Sequence, residues 1–154
     1  MKFLLDTNVI SEMTKPEPSQ AVTAWLGQTP ISEVALSVIT LGEIQRGILA
    51  TPSEKKRAAL QQWYDQSFVP LFSGGILNIT PAVMEEWAER YQAARTKGKT
   101  PASMDSLIAA TAAAYGLTVV TRNEKDFEPM GVPTLNIWTQ AQPQTPSTAA
   151  EERE

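Results

Sequence analysis

The chain has 154 residues, 42% hydrophobic and 19% charged, which fits one soluble globular domain with a substantial core. It contains neither Cys nor His, which excludes disulfides, thiolate nucleophiles, Cys- or His-bound zinc, the Ser-His-Asp triad and paired-imidazole nuclease chemistry. Thirteen basic and 17 acidic residues give a net charge of −4, but one Arg and three Glu in residues 139–154 supply −2 of it, so the overall sign says little about partners. Any hydrolytic chemistry falls to carboxylates, Lys, Tyr, hydroxyls or a metal held by oxygen. No apolar run approaches the ~20 residues of a membrane span. The N-terminus lacks the pattern of a signal peptide, so a cytoplasmic protein with no membrane association is expected.

Phe3-Leu4-Leu5 is too short for a helix and predicts a strand buried on both faces, as in a parallel sheet, ending on Asp6. Val9 to Met13 predicts a short helix that stops before Pro16. A second helix starts at Ser19, with Val22, Trp25 and Leu26 on one face and Gly27 as its stop. Val34-Ala35-Leu36-Ser37 predicts the second strand. From Thr40 the period becomes helical, with Leu41, Ile44, Ile48 and Leu49 as the apolar stripe and Thr40, Glu43 and Gly47 on another face.

Ser53 predicts the N-cap of a long helix over Glu54 to Val69, and Ser73-Gly74-Gly75 a turn into a third strand at Ile76–Ile79. Thr80-Pro81 opens a helix that carries Val83, Met84, Trp87, Ala88 and Tyr91 inward. After the basic link Lys97 to Pro101, an Ala-rich helix runs from Ser103 to Gly116. Thr118–Thr121 predicts a fourth strand, Arg122 to Phe127 the loop after it, and Thr134–Trp138 a last strand. Strands alternating with helices indicate an α/β fold with right-handed crossovers. Residues 1–138 form the expected domain, and the polar residues 139–154 a disordered tail with a regulatory segment as the alternative.

Four acids stand at informative places. Asp6 follows the first strand, Glu43 lies off the apolar stripe of its helix, Asp105 is in the first turn of the Ala-rich helix, and Asp126 follows the fourth strand. Each has a plainer reading: a turn or cap for Asp6 and Asp126, a solvated helix acid for Glu43, a favourable helix-dipole position for Asp105. In a parallel sheet, however, the loops after strands and the starts of the following helices share one edge. Two carboxylates ~6 Å apart at an effective dielectric of 20 repel by about 3 kcal/mol, so four gathered acids call for a cation. With only oxygen donors present, Mg²⁺ or Mn²⁺ is the natural guest.

Leu4-Leu5-Asp6-Thr7-Asn8-Val9-Ile10-Ser11, Ser37 to Gly47 with Glu43-Ile44, Met104-Asp105-Ser106 to Gly116-Leu117, and Thr121-Arg122-Asn123-Glu124-Lys125-Asp126-Phe127 resemble, in order, the four motifs of PIN domains. Within that family the chain looks most like the VapC toxins of toxin–antitoxin pairs, in the FitB-like branch, over residues 1–138. The resemblance implies a PIN-like α/β/α sandwich with a central, mostly parallel sheet of four to five strands. It also implies an endoribonuclease in which Asp6, Glu43, Asp105 and Asp126 hold one or two Mg²⁺ or Mn²⁺ ions. Those ions would lower the pKa of a bound water and stabilise charge on the scissile phosphate. Asn8, Thr121 and Asn123 are candidates to orient carboxylates or water, and Lys97, Lys99 and Arg122 to contact RNA phosphates. The implied partners are an RNA substrate, a VapB-like antitoxin that places an Arg among the acids, and a second copy of the chain. A higher toxin–antitoxin assembly is also implied, with DNA bound only through the antitoxin.

Two other readings stand beside the nuclease. The acids could serve as a docking socket, making the protein a binding module that regulates transcription with its antitoxin; inertness on RNA together with tightened antitoxin–DNA binding would mark that case. A phosphoaspartate fold with Asp6 as nucleophile is the other, although position 8, where a second Asp is usual, is Asn.

Overall fold

A computed structural model describes residues 1–139. Five parallel strands form one sheet in the order β3-β2-β1-β4-β5: β1 is Phe3–Leu5, β2 Val34–Ser37, β3 Ile76–Leu77, β4 Thr118–Val120 and β5 Thr134–Leu135. The first strand is central because its three residues are apolar and accept neighbours on both sides. Phe3 is in register with Val34 on one flank and Thr118 on the other. All four residues of β2, and Leu4, Leu5, Val119 and Val120, are buried, as expected of a sheet covered on both faces.

The helices are α1 (Thr7–Met13), α2 (Gln20–Gln28), α3 (Val38–Leu49), α4 (Glu54–Trp63), α5 (Val69–Leu71), α6 (Pro81–Thr96), α7 (Ser103–Tyr115) and α8 (Glu124–Phe127). Two apolar clusters result. One joins Leu4, Ala35, Val119 and Phe127 to α7 through Ile108, Ala109 and Ala112. The other joins Leu5, Leu36 and Val120 to Val9, Ile10, Val22 and Phe68. The small side chains of α7 let it lie close on the sheet, and α7 ends at Gly116, whose φ of 67° is the left-handed cap. Gly75 is required by proximity, since a Cβ there would sit 2.8 Å from the Val34 carbonyl oxygen.

Several local expectations need correction. Helix α2 runs past Gly27 to Gln28, closed by Thr29 donating its N–H to Trp25 O. Helix α3 starts at Val38, earlier than the periodicity shows, because the Ser37 hydroxyl accepts from Ile39 N. Leu49 is 66% exposed at the helix end. The long helix from Glu54 is α-helical only to Trp63 and continues as a π-helical turn, Tyr64–Phe68, before α5. Pro70 has no N–H to continue the α pattern, and the wider turn buries Phe68 with its ring stacked 4.9 Å from Trp63. On α6 the covered positions are Val83, Trp87, Tyr91 and Ala94; Met84 and Ala88 fall one step round the helix and are exposed. The third strand is two residues long, and the last ends at Leu135. Asp126 lies on the short helix α8 rather than in a loop. The tail expected to be disordered lies outside the described residues from position 140 onward. No helix among the described residues is long and apolar enough to cross a membrane.

Candidate active site

Every strand points the same way, so the turn after β1, the start of α3, and the turn after β4 share the carboxyl edge of the sheet. Asp6 stands there as the N-cap of α1, 6% exposed, with Thr7 N donating to its Oδ1 at 2.8 Å. Thr121, immediately after β4 and fully buried, donates its hydroxyl to Asp6 Oδ2 at 2.8 Å. The Thr121 oxygen in turn accepts from Asn123 N at 3.0 Å and from Asn8 Nδ2 at 3.2 Å. Asn8 Oδ1 takes the Arg122 N–H at 3.4 Å. The two turns are thereby tied to each other, with Asp6 in the middle.

Glu43 reaches the same edge from the second turn of α3, half-buried, and accepts the Thr7 hydroxyl at 2.8 Å on Oε1. Asp105 arrives from the first turn of α7. That turn is held from behind by Trp87 Nε1, which donates to Ser106 Oγ at 2.9 Å while Ser106 donates to Ser103 O. Asp126 is exposed on α8. Two of the acids, Asp6 and Asp105, respond to their surroundings. Burial pushes the Asp6 carboxyl above its ordinary value, the Thr121 and Thr7 hydrogen bonds oppose this, and the charges of Glu43 and Asp126 add to it. Asp105 is pushed up to about 6, first by burial and then by Asp6, Asp126 and Glu43.

The basic candidates stand on two turns, one after α6 and one after β4. Lys97 and Lys99 are exposed on the turn between α6 and α7. Arg122 lies over the Trp138 ring at 5.6 Å from its centre, and its charge is felt by Glu12. Glu12 itself is held low first by the Lys15 hydrogen bond and then by Ser19 N, which together fold the Thr14–Ser19 loop against α1.

Two further polar residues stand on these elements. Thr7 joins Asp6 and Glu43, and a Thr at the start of a helix gives no hint of a contact 36 positions away. Thr40, one turn before Glu43, is fully buried with a hydroxyl that has no partner. Beside the acids runs a cleft of about 190 Å³ lined by Ile10, Ile44, Ile48, Leu60 and Trp63, with Thr7 and Glu43 also in its wall.

The oxygen-only donors and the charges that raise Asp6 and Asp105 fit a hard divalent cation. As they stand, no three or more acids among the described residues are set to hold an ion by themselves.

The sequence profile of the PIN domain matches residues 3–132. The chain belongs to the PIN-domain family. Toxin FitB of Neisseria gonorrhoeae is 41% identical over 136 residues, spanning 88% of this chain and 98% of that protein. The VapC ribonuclease Y4jK of Sinorhizobium fredii is 38% identical over 139 residues, 90% of this chain and 99% of the relative. Among solved structures, FitAcB from Neisseria gonorrhoeae superposes with a TM-score of 0.86 at 40% identity, covering 90% of this chain and 99% of that one. FitAB bound to an IR36 DNA fragment gives 0.85 at 38% identity, covering 91% and 98%. The PIN fold expected from the four motifs is therefore the fold observed, with all five strands parallel.

Proposed function

We propose that this PIN domain is a Mg²⁺- or Mn²⁺-dependent endoribonuclease, the toxin of a toxin–antitoxin pair. The observation that carries the reading is that Asp6, Glu43, Asp105 and Asp126 stand on elements meeting at one sheet edge, where Thr121 and Thr7 hydrogen-bond to the Asp6 and Glu43 carboxylates. The relatives named toxin FitB and VapC ribonuclease support the same class.

In this reading Asp6, Glu43 and Asp105 are the principal ligands and Asp126 completes the set directly or through water. When bound, the cation activates a water and screens charge developing on the scissile phosphate. The chain's own residues prepare that site. Thr121 and Thr7 N hold both Asp6 oxygens, so the carboxylate presents a fixed face. Asn8 and Asn123 N fix the Thr121 hydroxyl and hence the direction of its proton. Burial and the neighbouring acids push the Asp105 carboxyl up to about 6, so a bound cation would favour its charged form. Lys97, Lys99 and Arg122 are offered as contacts for RNA phosphates along the rim.

An antitoxin is the second partner, since the similar FitAcB and FitAB structures are named for two components. The apolar cleft beside Glu43 suits an amphipathic segment whose terminal Arg pairs with the acids, which would switch the enzyme off. DNA enters through that complex alone, as in the FitAB structure with its IR36 fragment. A homodimer in the cytoplasm, within a larger toxin–antitoxin assembly, completes the proposal.

The test is cleavage of total RNA by the antitoxin-free protein, with ends sequenced, in Mn²⁺ and in chelator. Asp6→Asn and Asp105→Asn should each abolish Mn²⁺-dependent ends while remaining folded by circular dichroism. Undiminished cleavage in both variants would sink the proposal.

A further inference from the structure

We infer that Thr7 is a positioning residue of this site: its hydroxyl anchors the Glu43 carboxylate beside Asp6. The inference rests on the metal-site reading and goes beyond it by assigning a residue that is not an acid. Thr7 is the first residue of α1 and does two things at once. Its N–H donates to Asp6 Oδ1 at 2.8 Å, and its hydroxyl donates to Glu43 Oε1 at 2.8 Å. Asp6 and Glu43 come from different elements, and no hydrogen bond joins them directly among the described residues.

A glutamate side chain has three rotatable bonds before its oxygens, so its position is poorly fixed by the helix that bears it. Asp6 is short and already held on both oxygens by Thr121 and Thr7. Among the described residues Glu43 has one such contact, and Thr7 supplies it. Repulsion is the other force on Glu43, since it shares the edge with Asp6 and Asp105. Without the Thr7 proton, a half-exposed Glu43 is free to swing into solvent, away from the like charges. The hydrogen bond is not needed to join the helices, because α1 and α3 already meet through Ile10 and Ile44 in one apolar cluster.

Two variants separate the hydroxyl from the shape. Thr7→Val keeps the β-branched outline and the N–H but removes the donor; Thr7→Ser keeps the donor. Crystal structures of the metal-free proteins should show Glu43 in place in Thr7→Ser and swung from Asp6 in Thr7→Val. Titration with Mn²⁺ alone should then give near wild-type affinity for Ser and about tenfold weaker binding for Val. Melting temperatures should stay within a few degrees of wild type. An unmoved Glu43 in Thr7→Val overturns the inference whatever the metal does. A wild-type protein that binds no Mn²⁺ overturns the metal reading instead, and the Glu43 position alone then decides the role of Thr7.

Discussion

Thr121 donates its hydroxyl to Asp6 Oδ2 at 2.8 Å across 115 positions of sequence, between the ends of two adjacent parallel strands. Both residues are buried, so the bond is made where water cannot replace it. Thr121→Val should therefore leave one Asp6 oxygen unpaired and push the Asp6 carboxyl further above its ordinary value. Losing a partner of a buried polar group costs about 1–3 kcal/mol, and loss of a ligand's outer contact typically costs 10–100-fold in metal affinity. Chemical denaturation and Mn²⁺ calorimetry on the same preparation measure the two effects. Unchanged affinity would show that Asp6 needs no such support.

Asp105 makes stability depend on pH in a definite direction. Its carboxyl titrates near 3.8 in a free chain and about 6 in the fold, so folding favours the protonated form. The resulting penalty is absent below the lower value, grows as pH rises between the two, and is complete above about 6. Asp105→Asn should accordingly melt higher than wild type at about pH 7.5 and lose that advantage at roughly pH 4. Scanning calorimetry without divalent ions decides it. Protons should likewise compete with Mn²⁺, weakening binding as pH falls below about 6.

The acids are not equivalent in their surroundings. Asp126 is exposed on a four-residue helix, whereas Asp6 is buried and doubly hydrogen-bonded. Asp126→Asn should lower RNA cleavage by a smaller factor than Asp6→Asn, a difference read from initial rates at saturating Mn²⁺. Equal losses would place Asp126 on the same footing as the buried acid.

Gly75 offers a check on the fold away from the site. An added Cβ would lie 2.8 Å from the Val34 carbonyl oxygen, a backbone atom that cannot rotate aside. Gly75→Ala should destabilise by about 1–3 kcal/mol, as overpacking does elsewhere. Urea unfolding measures it, and RNA cleavage per folded molecule should be unaffected.

The strand positions were legible because short apolar runs ending in polar residues are a local signal, and parallel topology brings the residues after each strand to one edge. The Ala-rich helix with its Gly116 stop was legible for the same reason. The hidden features depend on partners distant in sequence. The π turn at Tyr64–Phe68 answers to Trp63 and Phe72 packing around Phe68 as well as to Pro70, and the exposure of Met84 is set by where α7 lies. Thr7 reads as an ordinary helix-start residue until Glu43 is beside it, and the partner of Asn8, Thr121, lies 113 positions away. Lys97, Lys99 and Arg122 are visible as charges, but sequence does not say that Arg122 turns toward Trp138.

The place of β1 at the centre of the sheet governs when the site comes into being during synthesis. Its first partner, β2, begins at Val34, but the other, β4, begins only at Thr118, and Asp105, Thr121 and Asp126 arrive with that late part of the chain. A nascent chain with two thirds of its length made holds Asp6 and Glu43 and nothing to set against them. Such long-range closure is also slow, because the entropy of a large loop must be overcome before the contact rewards it. Chains terminated before Asp105 thus share one property: they hold Asp6 and Glu43 without the acids of α7 and α8. The acidic centre waits on the second half of the sheet.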